Sequence, residues 1–195
     1  ILLLSRSRFD HLDGHVRPHN PFVGLVIDEF GEVLRCVVSV HGFRHHAFHA
    51  VQGSNALMVT DSYNGNLVAA LDGTGMAPQG LVLSADGATL YVHNFMSRTV
   101  STYDVQGVRD STTYAMPLLG TTTTVSNEVL AANVLRGKQI FYNAADPRRA
   151  KDGYISCATC HLDGGHDGQT WDFTDRGEGL RNTISLLGRS GMGHG

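Results

Sequence analysis

A strand–turn–strand unit that occurs twice between residues 56 and 104 constrains the fold of this chain more than any other feature. In the first copy, an apolar stretch ending at Asp61 is followed by a polar turn and by a second stretch that ends at Asp72. The second copy repeats this order at nearly the same spacing and ends at Asp104. Short alternating stretches that recur at one spacing predict an array of antiparallel β-strands.

The segment between the two copies predicts one further strand and a hairpin turn. Residues 78–83 are mostly apolar, and residues 84–87 are a turn in which Gly87 supplies a positive φ. Earlier in the chain, residues 23–27 and 33–40 also have strand-like composition. The sequence therefore predicts antiparallel strands over most of the first 118 residues.

Residues 78–92 (PQGLVLSADGATLYV) resemble the repeat of the YVTN and NHL-type β-propellers, in which P-x-G, S-x-D-G and L-Y-V recur once in each blade. His93 stands where that repeat commonly has a threonine. The resemblance implies that residues 1–118 are part of a β-propeller. Because a closed propeller needs about four to eight blades of about 40 residues, we expect the chain to be an interior piece of a longer protein.

The pattern changes from strand-like to helical beyond residue 118. Residues 119–125 are predicted to be a linker, and residues 126–195 a second domain. A helix is predicted to begin at Ser126 or Asn127 and to continue to about Tyr142, since apolar side chains recur there at helical spacing.

Two of the three cysteines lie in the pentapeptide Cys157-Ala158-Thr159-Cys160-His161. This is the spacing at which two thiols add to the two vinyl groups of a porphyrin and the following histidine ligates its iron. We therefore predict one covalently attached haem c, held by Cys157 and Cys160, with His161 as the proximal iron ligand. Two alternatives are a zinc site that also uses His166, and a thioredoxin-like thiol pair.

Three motifs around the pentapeptide resemble the bacterial di-haem cytochrome c peroxidase and MauG family. Residues 137–141 match its G-x-x-I-F, residues 153–161 match its G-x-I-S-C-x-x-C-H, and residues 181–183 match its Arg-Asn-Thr segment. Ile184 stands where that family commonly has a proline. The resemblance implies a mostly α-helical cytochrome c domain over residues 126–195, incomplete at its C-terminus. It also implies a periplasmic or other extracytoplasmic location, and a redox partner protein or a second haem domain.

The remaining haem contacts are predicted from position in the chain. His194 is the first candidate for the distal iron ligand and Met192 the alternative, because both follow enough chain to pass around the ring. His166 lies too few residues after His161 to reach the far face easily. Arg181 is predicted to hold a haem propionate, and Trp171 is expected to pack in the haem pocket.

Composition narrows the function classes further. The formal net charge of -3 gives no basic surface for nucleic acid, and no apolar run is long enough to span a bilayer. The preferred function is that of a c-type haem-binding electron-transfer module in an exported protein. The alternatives are a peroxidase-like oxidoreductase whose second haem lies beyond this chain, and a ligand-binding β-propeller with an accessory haem. No catalytic residue is assigned.

Overall fold

The computed structural model describes residues 22–27, 33–41, 46–153 and 155–188. Over these ranges the chain forms three antiparallel sheets, two large ones and a two-stranded hairpin, and in each the strands follow one another in sequence order. The first sheet contains β1 (Phe22–Ile27), β2 (Val33–His41), β3 (His46–Val51), β4 (Ala56–Asp61) and β5 (Leu67–Asp72). The second contains β6 (Pro78–Leu83), β7 (Thr89–Asn94), β8 (Thr99–Asp104) and β9 (Leu118–Thr123).

The repeated unit has the structure that its pattern predicts. Its two copies are the antiparallel pairs β4–β5 and β7–β8, and β6 is the strand predicted between them. The turn between β6 and β7 is closed by a hydrogen bond from the Gly87 amide to the Ser84 carbonyl, with Gly87 at a φ of 69°. Glycine adopts this left-handed conformation without the steric cost that a Cβ atom adds, so the turn explains why Gly87 is there.

The main hydrophobic core lies between the two sheets. β6 lies against β2 and β3, and alternate side chains of both sheets enter the same cluster. In β7, for example, Leu90 and Val92 are buried whereas Tyr91 between them is exposed. The cluster contains Phe48, Ala50, Leu57, Val59, Leu81, Leu90, Val92, Tyr103, Val105, Val108 and Met116.

The C-terminal part of the described chain contains short elements. A one-turn helix, α1 (Gln106–Arg109), precedes β9, and two more helices follow it: α2 (Ala132–Tyr142) and α3 (Cys157–Cys160). A hairpin of β10 (Thr170–Phe173) and β11 (Gly179–Asn182) comes next, with 3-10 turns at Leu162–Gly164 and Thr174–Arg176. A second cluster packs Tyr142 and Ala158 of this region against Ala77 and Met96, which flank the second sheet.

The helix α2 ends at the predicted residue but begins later than predicted. Glu128 forms an ion pair with Arg98 at 2.9 Å, and its other carboxylate oxygen accepts a hydrogen bond from the Leu130 amide. These contacts hold residues 128–130 outside the helix, so α2 begins at Ala132 rather than at Ser126 or Asn127. Half of the predicted apolar face, namely Val129, Val134 and Ile140, is exposed, and Tyr142 is the buried residue of the helix.

The predicted fold class is wrong. The two short α-helices α2 and α3 do not make the described part of residues 126–195 a mostly helical cytochrome c domain, and the described chain as a whole is an antiparallel β structure. The identification of the chain as part of a β-propeller followed by a peroxidase-like cytochrome c domain is therefore wrong. The segment predicted as a linker over 119–125 lies largely in β9, which pairs with β8. The division into domains at this segment stays a prediction.

In the described ranges, no helix has the length and apolar character that crossing a membrane requires.

Candidate functional site

The pentapeptide of residues 157–161 lies on α3 and on the residue that ends it. The Ser156 amide donates a hydrogen bond to Oγ1 of Thr159 at 3.0 Å, and both residues are buried. A side chain three residues into the helix thus binds the amide that precedes it, as in a capping box. The His161 amide donates to the Cys157 carbonyl at 3.0 Å, which closes the turn and places His161 directly beyond Cys160.

The short helix α3 has two chemically different faces. Ala158 and Thr159 are buried, and Ala158 belongs to the cluster around Tyr142. Cys157 is exposed, and Cys160 and His161 are half-buried. Cys157 and Cys160 stand at positions i and i+3 of α3 and therefore lie on one side of it, whereas His161 follows the helix with a non-helical ψ of 64°.

The imidazole of His161 is oriented by backbone carbonyls. Its Nδ1 atom lies 2.9 Å from the Ile184 carbonyl oxygen and 3.4 Å from that of Gly165. A carbonyl oxygen only accepts hydrogen bonds, so Nδ1 carries the proton and Nε2 carries the lone pair. Histidines that ligate a metal through Nε2 are commonly oriented in this way.

The segment that supplies the Ile184 carbonyl is attached to the turn that follows His161. The Leu186 amide donates to the Gly164 carbonyl at 2.7 Å. Gly164 has a φ of 81°, and a Cβ atom placed on it would lie 3.2 Å from Leu187. The turn and the segment over 184–187 therefore approach each other closely on this side of the motif.

Large apolar side chains near the motif are exposed to solvent. The fractional exposures of Leu180, Ile184 and Leu187 are 64%, 53% and 65%. Ile155 and Leu186, which also lie within a few residues of these elements, are exposed as well. Ile184 and Leu187 belong to the segment that approaches His161 and Gly164, so a ligand or partner on this side of the motif would cover them.

Most of the other residues that were considered as haem contacts are exposed or lie outside the described residues. Arg181 is exposed, lies 3.7 Å from a carboxylate oxygen of Glu178, and donates to the Leu180 carbonyl at 3.2 Å. His194 and Met192 lie outside the described residues. The exposed His166 accepts a hydrogen bond from the Gly168 amide through Nδ1 at 3.1 Å.

Trp171 on β10 is half-buried, and its indole nitrogen donates to Asp167 and Thr183 at 3.1 and 3.2 Å. The side chain thus ties the hairpin of β10 and β11 to the residue before Ile184. Its expected packing in a haem pocket stays a prediction.

The predicted metal-binding character is not confirmed. Among residues 22–27, 33–41, 46–153 and 155–188, no three histidine, cysteine, aspartate or glutamate side chains converge to hold a metal ion. This is evidence against the zinc alternative, which needs Cys157, Cys160, His161 and His166 together. The classification of the chain as a cytochrome c-type oxidoreductase is wrong, since the described chain is rich in β-strands and its described residues form no metal-binding cluster.

The thioredoxin-like alternative also lacks its structural context. That motif begins the helix of a β-α-β unit with parallel strands. The strand pairs in the described part of the chain are antiparallel, and α3 follows a loop. A thiol pair of that kind is therefore not indicated.

Several residues around the motif were not predicted from the sequence. The Tyr142 hydroxyl donates to Oδ1 of Asp163 at 2.9 Å, and the carbonyls of Gly165 and Ile184 orient His161. Backbone carbonyls leave no signature in a sequence. The one available signal was a tyrosine at the end of a predicted helix, where a hydroxyl in an apolar setting needs a partner.

An open cleft of about 370 Å³ lies beside the turn that follows His161. It is lined by Phe95, Lys138, Phe141, Tyr142, Asp163 and Gly164. The three motif side chains do not line it, so this cleft and the exposed face of α3 are different surfaces.

Comparison with known proteins does not assign the chain to a family. No family model matches the sequence, and no curated protein matches it. Two solved structures are similar to part of the chain: a functionally unknown protein from Desulfotomaculum acetoxidans DSM 771, with 21% identity, and a putative 6-phosphogluconolactonase from Bacteroides fragilis NCTC 9343, with 18% identity. The matches cover 50% and 55% of this chain and 31% and 34% of those proteins, with TM-scores of 0.33 and 0.36. The chain thus spans about a third of the length of either structure.

Proposed function

We propose that Cys157 and Cys160 attach one c-type haem covalently and that the chain transfers electrons through it. The observation that carries this proposal is the placement of Cys157 and Cys160 on one side of α3 with His161 directly beyond them, together with an imidazole whose Nδ1 is hydrogen-bonded and whose Nε2 bears the lone pair. The spacing of the two thiols suits adjacent vinyl groups, and the orientation of His161 suits axial ligation of iron.

Two further arguments support the proposal. A porphyrin supplies four of the iron's ligands itself, so the chain needs one or two side chains rather than a cluster of three. The exposed apolar side chains of Leu180, Ile184 and Leu187 would lose contact with water against a flat apolar ring.

The bound haem would supply a reversible one-electron couple, and the protein would set its potential through axial ligation and burial. His161 would be the proximal ligand, with His194 or Met192 as the predicted distal ligand. Arg181 has an exposed guanidinium that could pair with a propionate. The partner would be a redox protein or a second haem domain. Since covalent haem attachment takes place outside the cytoplasm, we also propose an extracytoplasmic location.

The test is expression of the chain, exported, in a host that has the haem-attachment machinery. We expect a stoichiometric haem that survives denaturation, detected by pyridine haemochrome spectra and by mass spectrometry. Cys157→Ser and Cys160→Ser should each lose a thioether bond and change the haemochrome spectrum. Cys36→Ser is the matched control, because Cys36 lies outside the motif, and its haem content should equal that of the wild type.

A folded, exported protein without covalent haem would refute the proposal. His161→Ala separates attachment from ligation. We expect it to retain at least part of the covalent haem but to lose the low-spin spectrum that axial histidine gives. An unchanged spectrum would exclude His161 as the iron ligand.

A further inference from the structure

Tyr142 connects the end of α2 to the turn that follows the motif. It is 7% exposed, and its ring packs edge-on against Phe95 and Phe141, with centroid distances of 5.8 and 5.4 Å. The same cluster contains Ala158 of α3. From this buried position the Tyr142 hydroxyl donates its hydrogen bond to Asp163 at 2.9 Å.

The residue that accepts this bond has an unfavourable backbone conformation. Asp163 has a φ of 48°, in the left-handed region, which aspartate adopts more readily than most residues with a Cβ atom but less readily than glycine. The turn is otherwise closed by bonds from the Gly164 amide to the His161 carbonyl at 3.0 Å and from the Gly165 amide to the Leu162 carbonyl at 2.7 Å. The bond from Tyr142 thus helps to hold Asp163 in a conformation that the turn requires.

Both acceptors of the His161 Nδ1 proton depend on this turn. The Gly165 carbonyl belongs to the turn itself. The Ile184 carbonyl depends on it indirectly, because the Leu186 amide two residues later is bound to the Gly164 carbonyl. A change in the turn therefore changes the hydrogen bonding of the imidazole without any change in the motif.

We infer that Tyr142 is a positioning residue that sets the electron-donating strength of His161 by holding the turn over 161–165. This inference rests on the proposed haem function. A stronger hydrogen bond from Nδ1 increases electron density at Nε2, which stabilises oxidised iron and lowers the reduction potential. Loss of the Tyr142 hydroxyl would let the turn relax and would weaken the hydrogen bond from Nδ1. The reduction potential of the haem should therefore rise.

The test compares Tyr142→Phe with Tyr103→Phe in the haem-loaded protein. Each substitution removes one hydroxyl from a buried ring, and Tyr103, which is 4% exposed, belongs to the main core rather than to the cluster around α3. We expect an upward shift of the midpoint potential in Tyr142→Phe and no shift in Tyr103→Phe. Asp163→Asn retains an acceptor oxygen and tolerates a positive φ, so it should preserve the turn and leave the hydrogen exchange of the Leu186 amide at the wild-type rate.

A second measurement does not need the haem. Amide hydrogen exchange of Leu186 should be faster in Tyr142→Phe than in Tyr103→Phe, with or without the cofactor. If neither the potential nor the Leu186 exchange rate responds to Tyr142→Phe, the inference is wrong. If the wild type carries no haem but the exchange rate does respond, the proposed function fails while the hold of Tyr142 on the turn stands.

Discussion

Asn94 is fully buried at the end of β7, and its side chain shapes the loop opposite it. Its amide nitrogen donates to Ser101 at 2.9 Å and to Thr99 at 3.3 Å. Gly75 in the facing loop has a φ of 128°, and a Cβ atom placed on it would lie 2.5 Å from Cγ of Asn94. A backbone that passes this close to a buried amide leaves no space for a side chain, so glycine is required at position 75.

We predict that Gly75→Ala lowers the free energy of unfolding by about 2–4 kcal/mol, since it adds both backbone strain and a clash with Asn94. Gly73→Ala in the same loop is the matched control. It has a φ of 73° with nothing within 4 Å of an added Cβ, so it should lower the free energy of unfolding by only about 1 kcal/mol. Urea unfolding measures both. Equal losses would show that the contact with Asn94 has no energetic effect.

At the scale of elements, the loop after α2 is held by one carboxylate. Asp146 accepts hydrogen bonds from Arg148, at 2.7 and 2.9 Å, and from Arg149 at 2.8 Å. The hydrogen bonds from the Arg148 and Arg149 side chains and from the Arg148 amide hold the pKa of Asp146 well below its usual value. Arg149 also donates to the Ile140 carbonyl at 3.1 Å, near the end of the helix where carbonyls lack helical partners.

This arrangement predicts a pH dependence of stability. A carboxyl group whose pKa is lower in the folded state stabilises the fold above its unfolded pKa of about 4, and loses that contribution as the pH falls towards the folded value. The difference in urea midpoint between wild type and Asp146→Asn should therefore be constant from pH 5 to 7 and shrink below about pH 4. Asp152→Asn, at an exposed position in the same loop, is the control. A difference that stays constant down to pH 2 would contradict the prediction.

At the scale of the whole molecule, the region that carries the motif is packed onto the strands by a small interface. The Ala144 amide donates to the Gly53 carbonyl at 2.8 Å, and the side chains of Asn55 and Asn143 are hydrogen-bonded at 2.9 Å. Met96, which is 1% exposed, fills the cluster that Tyr142 and Ala158 share. Because this cluster is separate from the main core, the position of the motif depends on a few contacts between residues that are far apart in the sequence.

We predict that Met96→Ala lowers the free energy of unfolding by about 2–4 kcal/mol and selectively loosens α3, because it leaves a cavity beside Ala158. Leu90→Ala in the main core is the control for a global loss of similar size. Native-state hydrogen exchange of the Thr159 and His161 amides should be accelerated more by Met96→Ala than by Leu90→Ala. Equal acceleration would show that the two clusters unfold together.

The parts of this protein that were predicted correctly depend on local interactions. Alternating apolar residues and a glycine turn determine strands such as β4, β5 and β7, since the period of two and the positive φ of Gly87 act over a few residues. The start of α2 was mispredicted, because the ion pair of Glu128 with Arg98 joins positions far apart in sequence. The sequence predicts a linker where β9 forms, because this Thr-rich segment becomes a strand only by pairing with the edge of β8.

The same division applies to the candidate site. The sequence by itself determined which residues could attach a haem, because thiol chemistry requires Cys157, Cys160 and His161 at that spacing. It did not determine the fold around them, and short motifs shared with a helical family led to a wrong prediction of that fold. Only the tertiary structure decided which face of α3 is buried, which carbonyls orient His161 and how Tyr142 reaches Asp163. Those contacts join segments that no local pattern brings together, and backbone acceptors leave no trace in residue identity.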